Sequence, residues 1–570
     1  MTHCGVVQPL LTDFYQLTMS YGYWKAGKAE EQAVFEIFFR KNPFQGEFTI
    51  FAGLSDCIEY LNTFKFTEED IHYLKSVMPG TVDPAFFVYL LHLPTDGLSL
   101  WAADEGSVVF PKEPIVRVEG PVIVCQLLET TLLNLVNFAS LMATNAARFR
   151  LAAGTDKQLY EFGLRRAQGP DGGLTASRYA YLGGYDGTSN VLAGKLFGIP
   201  VVGTHAHSFV SVYQEKTASV FMNGALNDHS DLKVPSVPDP VSEIDIDSNE
   251  LLDLHGESME LDRFLQRCWY WSRYLGTVLD YVPDQVHAGE LAAFANYAYA
   301  FPANFVGLID TYDVLRSGLP NFCSVSLALH EYGYQALGLR IDSGDLAFLS
   351  LMVRDAFKRI AKHFNLPWFE KVRILVSNDL NEDTLFSLNQ QLPVPGHSID
   401  AFCVGTNLVT CQKQPALGCV YKLVEISGCP TMKLSAVVDK VTLPGRKTVY
   451  RLYSKSGDAL LDLLQQSEEP PPKVNERILC RHPSEASKRV FVVPARVEET
   501  LKLFWKGGKL VRQLLTLSEA RERVKQELAT LRPDYKRVLN PTPYKVSLSE
   551  QLYSFTYDLW LRMTPIGELT

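Results

Sequence analysis

The chain has 570 residues, of which 46% are hydrophobic and 21% charged. This balance supplies a sizeable core and excludes a disordered or low-complexity polymer, and at roughly 150 residues per domain the length predicts three or four structural units. Acidic residues (64) outnumber basic ones (54), for a formal net charge of −10; general nucleic-acid binding needs a basic footprint and is not expected, so any phosphate chemistry must use local cations and backbone amides.

The ten cysteines include no C-x-x-C pair, and Cys403, Cys411, Cys419 and Cys429 lie eight to ten residues apart, unlike a zinc module; they read as reduced thiols. The opening MTHCGVVQPLLTDFYQ lacks the basic start and apolar stretch of a signal peptide. No run of about 18 uncharged apolar residues is evident, so a membrane partner is not expected and the chain reads as a cytosolic enzyme.

In chain order, residues 48–54 read as a strand ending in glycine, and the apolar-periodic run 122–147 as a buried helix. From about residue 158 the pattern becomes strand, polar loop, helix. Short apolar strands are predicted at 159–162, 199–203, 305–309, 337–341, 372–376 and 401–404, with helices such as 346–364 and 383–391. Such alternation predicts a parallel sheet flanked by helices, an irregular TIM-like α/β barrel over 155–415. Eleven acids and one lysine crowd residues 223–262, which predicts a solvated acidic insertion. After residue 415 alternating apolar residues and Pro-Gly and Ser-Gly-Asp turn signals indicate further strands, and the Pro-rich 468–473 marks another break.

The unusual polar clusters all follow a predicted strand, where α/β enzymes assemble their sites. Gly405-Thr406 offers backbone N–H groups and a hydroxyl to an anion, although turns use this pair widely. Arg340 and Asp342 alternate along a strand end and point to one side. A charge there is expensive unless it meets an opposite charge or a ligand, so an Arg–carboxylate or Arg–phosphate contact stands beside the alternative of an internal Arg–Asp pair. His205 and His207 follow the 199–203 strand; no third ligand of matching spacing accompanies them, which argues against zinc, and Asp310 at another strand end is placed to orient one ring. Arg165 and Arg166 add cations at the same mouth. No G-x-x-x-x-G-K-[ST] or G-x-G-x-x-G occurs, which disfavours a P-loop kinase and a Rossmann dehydrogenase.

The segments TDFYQLTM (12–19), GLRRAQGPDGG (163–173), GTHAHSFV (203–210), LIDTYD (308–313), RIDSGD (340–345), VSND (376–379), VGT (404–406) and KLS…PGRK (433–447) together resemble the nicotinate phosphoribosyltransferase family of type II phosphoribosyltransferases. The resemblance implies a barrel (155–415) and a second α+β domain built from residues 1–154 and 416–570. It also implies a homodimer with shared active sites. The implied reaction joins nicotinate to 5-phosphoribosyl 1-diphosphate with Mg²⁺ or Mn²⁺, ATP being a co-substrate hydrolysed through a phosphohistidine. Carried over by position, His207 matches the phosphohistidine and Asp310 orients its ring. Thr204 and Arg340 match holders of nicotinate, and Tyr15 of the neighbouring subunit stacks on the pyridine. Gly405 and Thr406 receive the 5′-phosphate, Arg165 and Arg166 contact phosphates or the carboxylate, and Asp342 holds ribose hydroxyls or metal. His205 departs from the pattern and receives no role. A nicotinamide or quinolinate transferase, or a non-catalytic nucleotide-binding scaffold, is the alternative.

Overall fold

The computed structural model describes residues 5–214, 260–390, 396–435, 440–564 and 566. The acidic insertion at 223–262 lies outside these residues up to position 259. The protein is a mixed α/β molecule with three principal sheets among the described residues.

The sheet that carries the site runs Gly187–Thr188, Gln158–Glu161, Ala401–Val404, Arg373–Val376, Gly338–Ile341, Val306–Leu308, with every neighbouring pair parallel. Ile309, Leu339, Ile341, Ile374, Val376, Phe402 and Val404 are fully buried, as expected for short apolar strands covered on both faces. Helices such as Leu346–Phe364 and Glu382–Gln390 connect the strands, close to the predicted bounds. The predicted strand at 199–203 is reduced to one parallel bridge between Val201 and Thr188. The outer position goes instead to Gly187–Thr188, which lies in YDGTSN and has no apolar run to mark it. No ladder joins the two ends of this sheet among the described residues.

A second, antiparallel sheet interleaves distant parts of the chain: Cys429–Pro430, Cys419–Ile426, Gln32–Phe39, Val116–Pro121, Ser99–Ala102, Lys502–Lys506 and Lys509–Leu510. The third comprises six strands between Lys447 and Leu548. One of its ties to the rest is Arg451, which donates to Asp462 (2.7 and 2.9 Å), Glu527 (2.7 Å) and the Val108 carbonyl (2.8 Å); a charge this deeply buried is tolerable because its donors meet carboxylates.

The predicted 48–54 strand is shorter than expected. Only Thr49–Ile50 pairs, and Gly53, at φ 98°, turns the chain into the helix Leu54–Thr63, a left-handed conformation suited to glycine. The helix Val122–Ala153 is 32 residues long and, contrary to the sequence reading, is long and apolar enough to cross a membrane. However, 67% of its most apolar window is buried inside the protein, and its polar residues are used internally. Thr144 and Ser140 accept the Ile50 and Ala52 N–H groups (2.8 and 3.0 Å), and Asn145 donates to the Leu408 carbonyl behind the site (2.9 Å).

Candidate active site

All strands of the parallel sheet end on the same side, so the loops after Glu161, Thr188, Ile341, Val376 and Val404 converge. Together with residues 203–206 they enclose a cavity of about 640 Å³ lined by Arg165, Arg166, Thr204, Arg340, Asp342, Gly405 and Thr406, and also by Phe162, Ser189, His205, Ser377, Asn378 and Asp379. Seven of the ten residues singled out in the sequence therefore share one cavity.

Its floor is built by buried polar bonding. Glu161, at the end of the Gln158–Glu161 strand, accepts the Gly163 N–H and the Ser177 hydroxyl (2.8 Å) as well as the Thr188 hydroxyl. This carboxylate fixes the turn that presents Arg165 and Arg166. Arg166 Nη1 donates to Thr406 Oγ1 at 3.0 Å, joining the two predicted phosphate contacts. Thr406 opens the short helix Thr406–Val409 with Gly405 as its cap, and both residues line the cavity. The neighbouring loop is strained: Asn378 (φ 121°) and Asp379 (φ 42°) take left-handed backbone. Asn407 Nδ2 holds that loop through the Asp379 and Leu380 carbonyls (3.1 and 3.0 Å). Such conformations persist where the surroundings over-determine them and gather at ligand sites.

On the opposite wall, Arg340 rises from the Gly338–Ile341 strand. It makes no ion pair with Asp342 or any other described residue; Nη2 makes a long bond to the His205 carbonyl (3.4 Å), and its buried Nε has no partner. The Ser377 hydroxyl, also lining the cavity, is another buried group without one. Buried polar groups are rarely left unpaired, and two of them on one cavity point to a polar ligand.

His207 stands at the edge of the cavity, at the start of the helix His207–Val212. Its side chain is 42% exposed, against 3% for Asp310, and Nε2 lies 3.8 Å from Asp310 Oδ1 and 3.7 Å from Asp342 Oδ2. Neither separation is a hydrogen bond. The ring is oriented by Thr311, whose hydroxyl meets Nδ1 at 3.1 Å, a residue the sequence reading passed over although it follows Asp310 directly. Asp310 is held by the Ser343 hydroxyl (2.6 Å), and its other oxygen has no hydrogen-bond partner. No cluster of three or more His, Cys, Asp or Glu suited to a metal occurs among the described residues.

One predicted residue stands apart. Tyr15 does not line the cavity; it is 47% exposed on the helix Phe14–Lys25, near Glu129 and Thr130. His205, to which no role was given, is buried among aromatic rings, and its Nε2 accepts the Leu308 N–H at 3.1 Å.

Comparison with known proteins agrees with this geometry. Residues 10–137 match the nicotinate phosphoribosyltransferase N-terminal domain family, and residues 446–556 the corresponding C-terminal domain family. The chain is 52% identical to nicotinate phosphoribosyltransferase of Caenorhabditis elegans over 99% of its length and 95% of the relative's. It is 45% identical to the Homo sapiens protein of that name, over 98% of both chains. The crystal structure of human nicotinic acid phosphoribosyltransferase superposes with a TM-score of 0.81 at 43% identity, covering 96% of this chain and all (100%) of that one. The nicotinate-nucleotide pyrophosphorylase of Pyrococcus furiosus (TM-score 0.56, 19% identity, 92% and 95% covered) shares the fold. With a full-length relative at this level of identity and strand tips that converge on a cationic cavity, the chain belongs to the nicotinate phosphoribosyltransferase family of enzymes.

Proposed function

We propose that the cavity transfers the 5-phosphoribosyl group of phosphoribosyl diphosphate to nicotinate, giving nicotinate mononucleotide and diphosphate, with ATP hydrolysed through phosphorylation of His207. The observation that carries this reading is the division of one cavity into two chemistries. Arg165, Arg166 and the Gly405-Thr406 amides form an anion-holding end, and Arg340 beside Thr204 forms a separate cationic wall. In the transfer, the bond from the anomeric carbon to diphosphate breaks while the pyridine nitrogen attacks that carbon. Positive charge builds on the sugar as negative charge leaves, and fixed donors aimed at the departing oxygens lower the barrier. The first end holds the 5′-phosphate and diphosphate; Arg340 takes the nicotinate carboxylate, a match that a neutral amide lacks.

The Thr311 contact supports the phosphorylation step. With Nδ1–H given to the Thr311 hydroxyl, the Nε2 lone pair is left free to take a phosphoryl group, and the exposure of the ring lets ATP approach. A divalent cation fits beside Asp342 and the unpartnered oxygen of Asp310, because Mg²⁺ is held by one or two carboxylates together with substrate phosphates and water; it would neutralise phosphate charge there. We read the parallel sheet as the wall of an irregular α/β barrel, since Val201 bridges to Thr188 at one end and His205 reaches Leu308 at the other. Residues 1–154 and 416–570 form the second domain, and Tyr15 completes the site of a partner subunit in a homodimer. Incubating the protein with donor, Mg²⁺ and each of nicotinate, nicotinamide and quinolinate tests the reading. Mononucleotide should form with nicotinate; turnover of another base in preference, or of none, would overturn it.

A further inference from the structure

A β-strand turns its N–H groups alternately toward its two edges. In Val306–Leu308, the outermost strand of the parallel sheet, the Ile309 N–H donates to the Arg340 carbonyl (3.1 Å) and the Phe305 carbonyl accepts from Leu337 (3.0 Å). The Leu308 N–H therefore points to the other edge, where no strand pairs among the described residues. Leu308 is fully buried, and an amide left unpaired there would be as costly as a lost hydrogen bond. It is satisfied by His205 Nε2 at 3.1 Å, so an imidazole stands where the carbonyl of a further strand would stand.

The ring is built into this place. His205 is 7% exposed and packs against Tyr297 (4.9 Å between centroids), Phe209 (5.6 Å) and Phe294 (5.8 Å). A nitrogen that accepts carries no proton, so the neutral ring holds its proton on Nδ1. The backbone of the same residue belongs to the cavity wall: its carbonyl receives Thr204 Oγ1 (3.3 Å) and Arg340 Nη2 (3.4 Å).

The geometry points to His205 as a positioning residue that fastens the 203–207 loop across the open edge of the sheet and so sets Thr204 and Arg340 for the carboxylate of the pyridine substrate. The bond to Leu308 stands independently of the proposed reaction; only its kinetic consequence rests on nicotinate transfer. Glutamine keeps an acceptor at the end of a flat side chain, whereas phenylalanine keeps the ring and loses the acceptor. In His205→Phe, hydrogen–deuterium exchange of the peptide carrying Leu308 should speed up about tenfold or more, while His205→Gln stays close to the wild type. The KM for nicotinate should rise about tenfold in His205→Phe with the KM for phosphoribosyl diphosphate within about twofold, and His205→Gln should recover most of the difference. A purely structural defect would lower the active fraction, and with it kcat, at unchanged KM. Equal exchange at Leu308 in all three proteins would refute the seam. Faster exchange in His205→Phe with both KM values unchanged would refute the positioning role. The exchange pattern without turnover of nicotinate by the wild type would leave the seam intact and sink the reaction instead.

Discussion

The arginine on the Gly338–Ile341 strand shows how a single side chain bears on chemistry. Arg340 has an unpartnered Nε and one long bond to a carbonyl, so much of its hydrogen-bonding capacity is free for a ligand. Removing it should raise the KM for nicotinate about 10- to 100-fold, the range for a charge-assisted contact, with a smaller effect on the donor; a variant that lost donor affinity and kept nicotinate affinity would assign Arg340 to the phosphates. His205 offers a second measurement. Burial first, then the positive charge of Arg340 and the neighbouring His207, pushes its pKa from 6.5 down to about 4, opposed by the Ala206 backbone. The unfolded chain therefore binds a proton at His205 between about pH 6.5 and 4 that the folded chain refuses. Stability due to the neutral ring is complete above pH 6.5, declines as the pH falls through this window and levels off below it. Urea unfolding should show the wild type losing about 2 kcal/mol more than His205→Gln between pH 7 and pH 4.5, at about 1.4 kcal/mol per pKa unit; equal losses would contradict the assigned burial.

Elements explain which parts of the site could be read in advance. The short apolar runs 337–339, 374–376 and 401–404 lead into Arg340, Ser377 and Gly405, and these successors fall in the cavity because all the strands run the same way. Gly187–Thr188 carries no apolar signal and takes its place by pairing with Tyr160 and Glu161, a tertiary effect no local pattern encodes. Thr311, Ser343 and Glu161 were equally silent, since a hydroxyl or carboxylate becomes a positioning group only through a partner far away in the chain. Loop approach is testable at Gly163. A Cβ there would meet Val409 Cγ1 at 2.4 Å and the Gly405 carbonyl at 2.8 Å, forcing apart the two loops that carry Arg166 and Thr406. Gly163→Ala should cost about 1–3 kcal/mol in stability and raise the KM for the donor more than that for nicotinate; an unchanged melting temperature and donor KM would show that the loops yield freely.

At the scale of the whole molecule, the resemblance of eight ordered segments indicated the family, whereas the interleaved antiparallel sheet shows how sequence ends unite. Gln32–Phe39 pairs with Cys419–Ile426, and Ser99–Ala102 with Lys502–Lys506, so residues before 154 and after 415 share one layer. Such long-range pairing leaves no trace in local periodicity. The exposed Tyr15, which does not line its own cavity, suits the proposed sharing of sites between subunits. Tyr15→Ala and His207→Ala proteins, each impaired alone, should regain about a quarter of the ATP-stimulated wild-type rate when co-refolded in equal amounts, because half the dimers would be hybrids with one intact site of two; no recovery would mean that each subunit works alone.

In the function we propose, one cavity joins a pyridine acid to a sugar diphosphate, and His207 at its edge couples that transfer to ATP. Diphosphate release in the presence of nicotinate and donor, with and without ATP, measures this coupling in the wild type and in His207→Ala. Both proteins should release diphosphate, ATP should stimulate the wild type, and His207→Ala should lose that stimulation while retaining slower, ATP-independent transfer. Persistent ATP stimulation in the variant, or an equal fall of both rates, would contradict it.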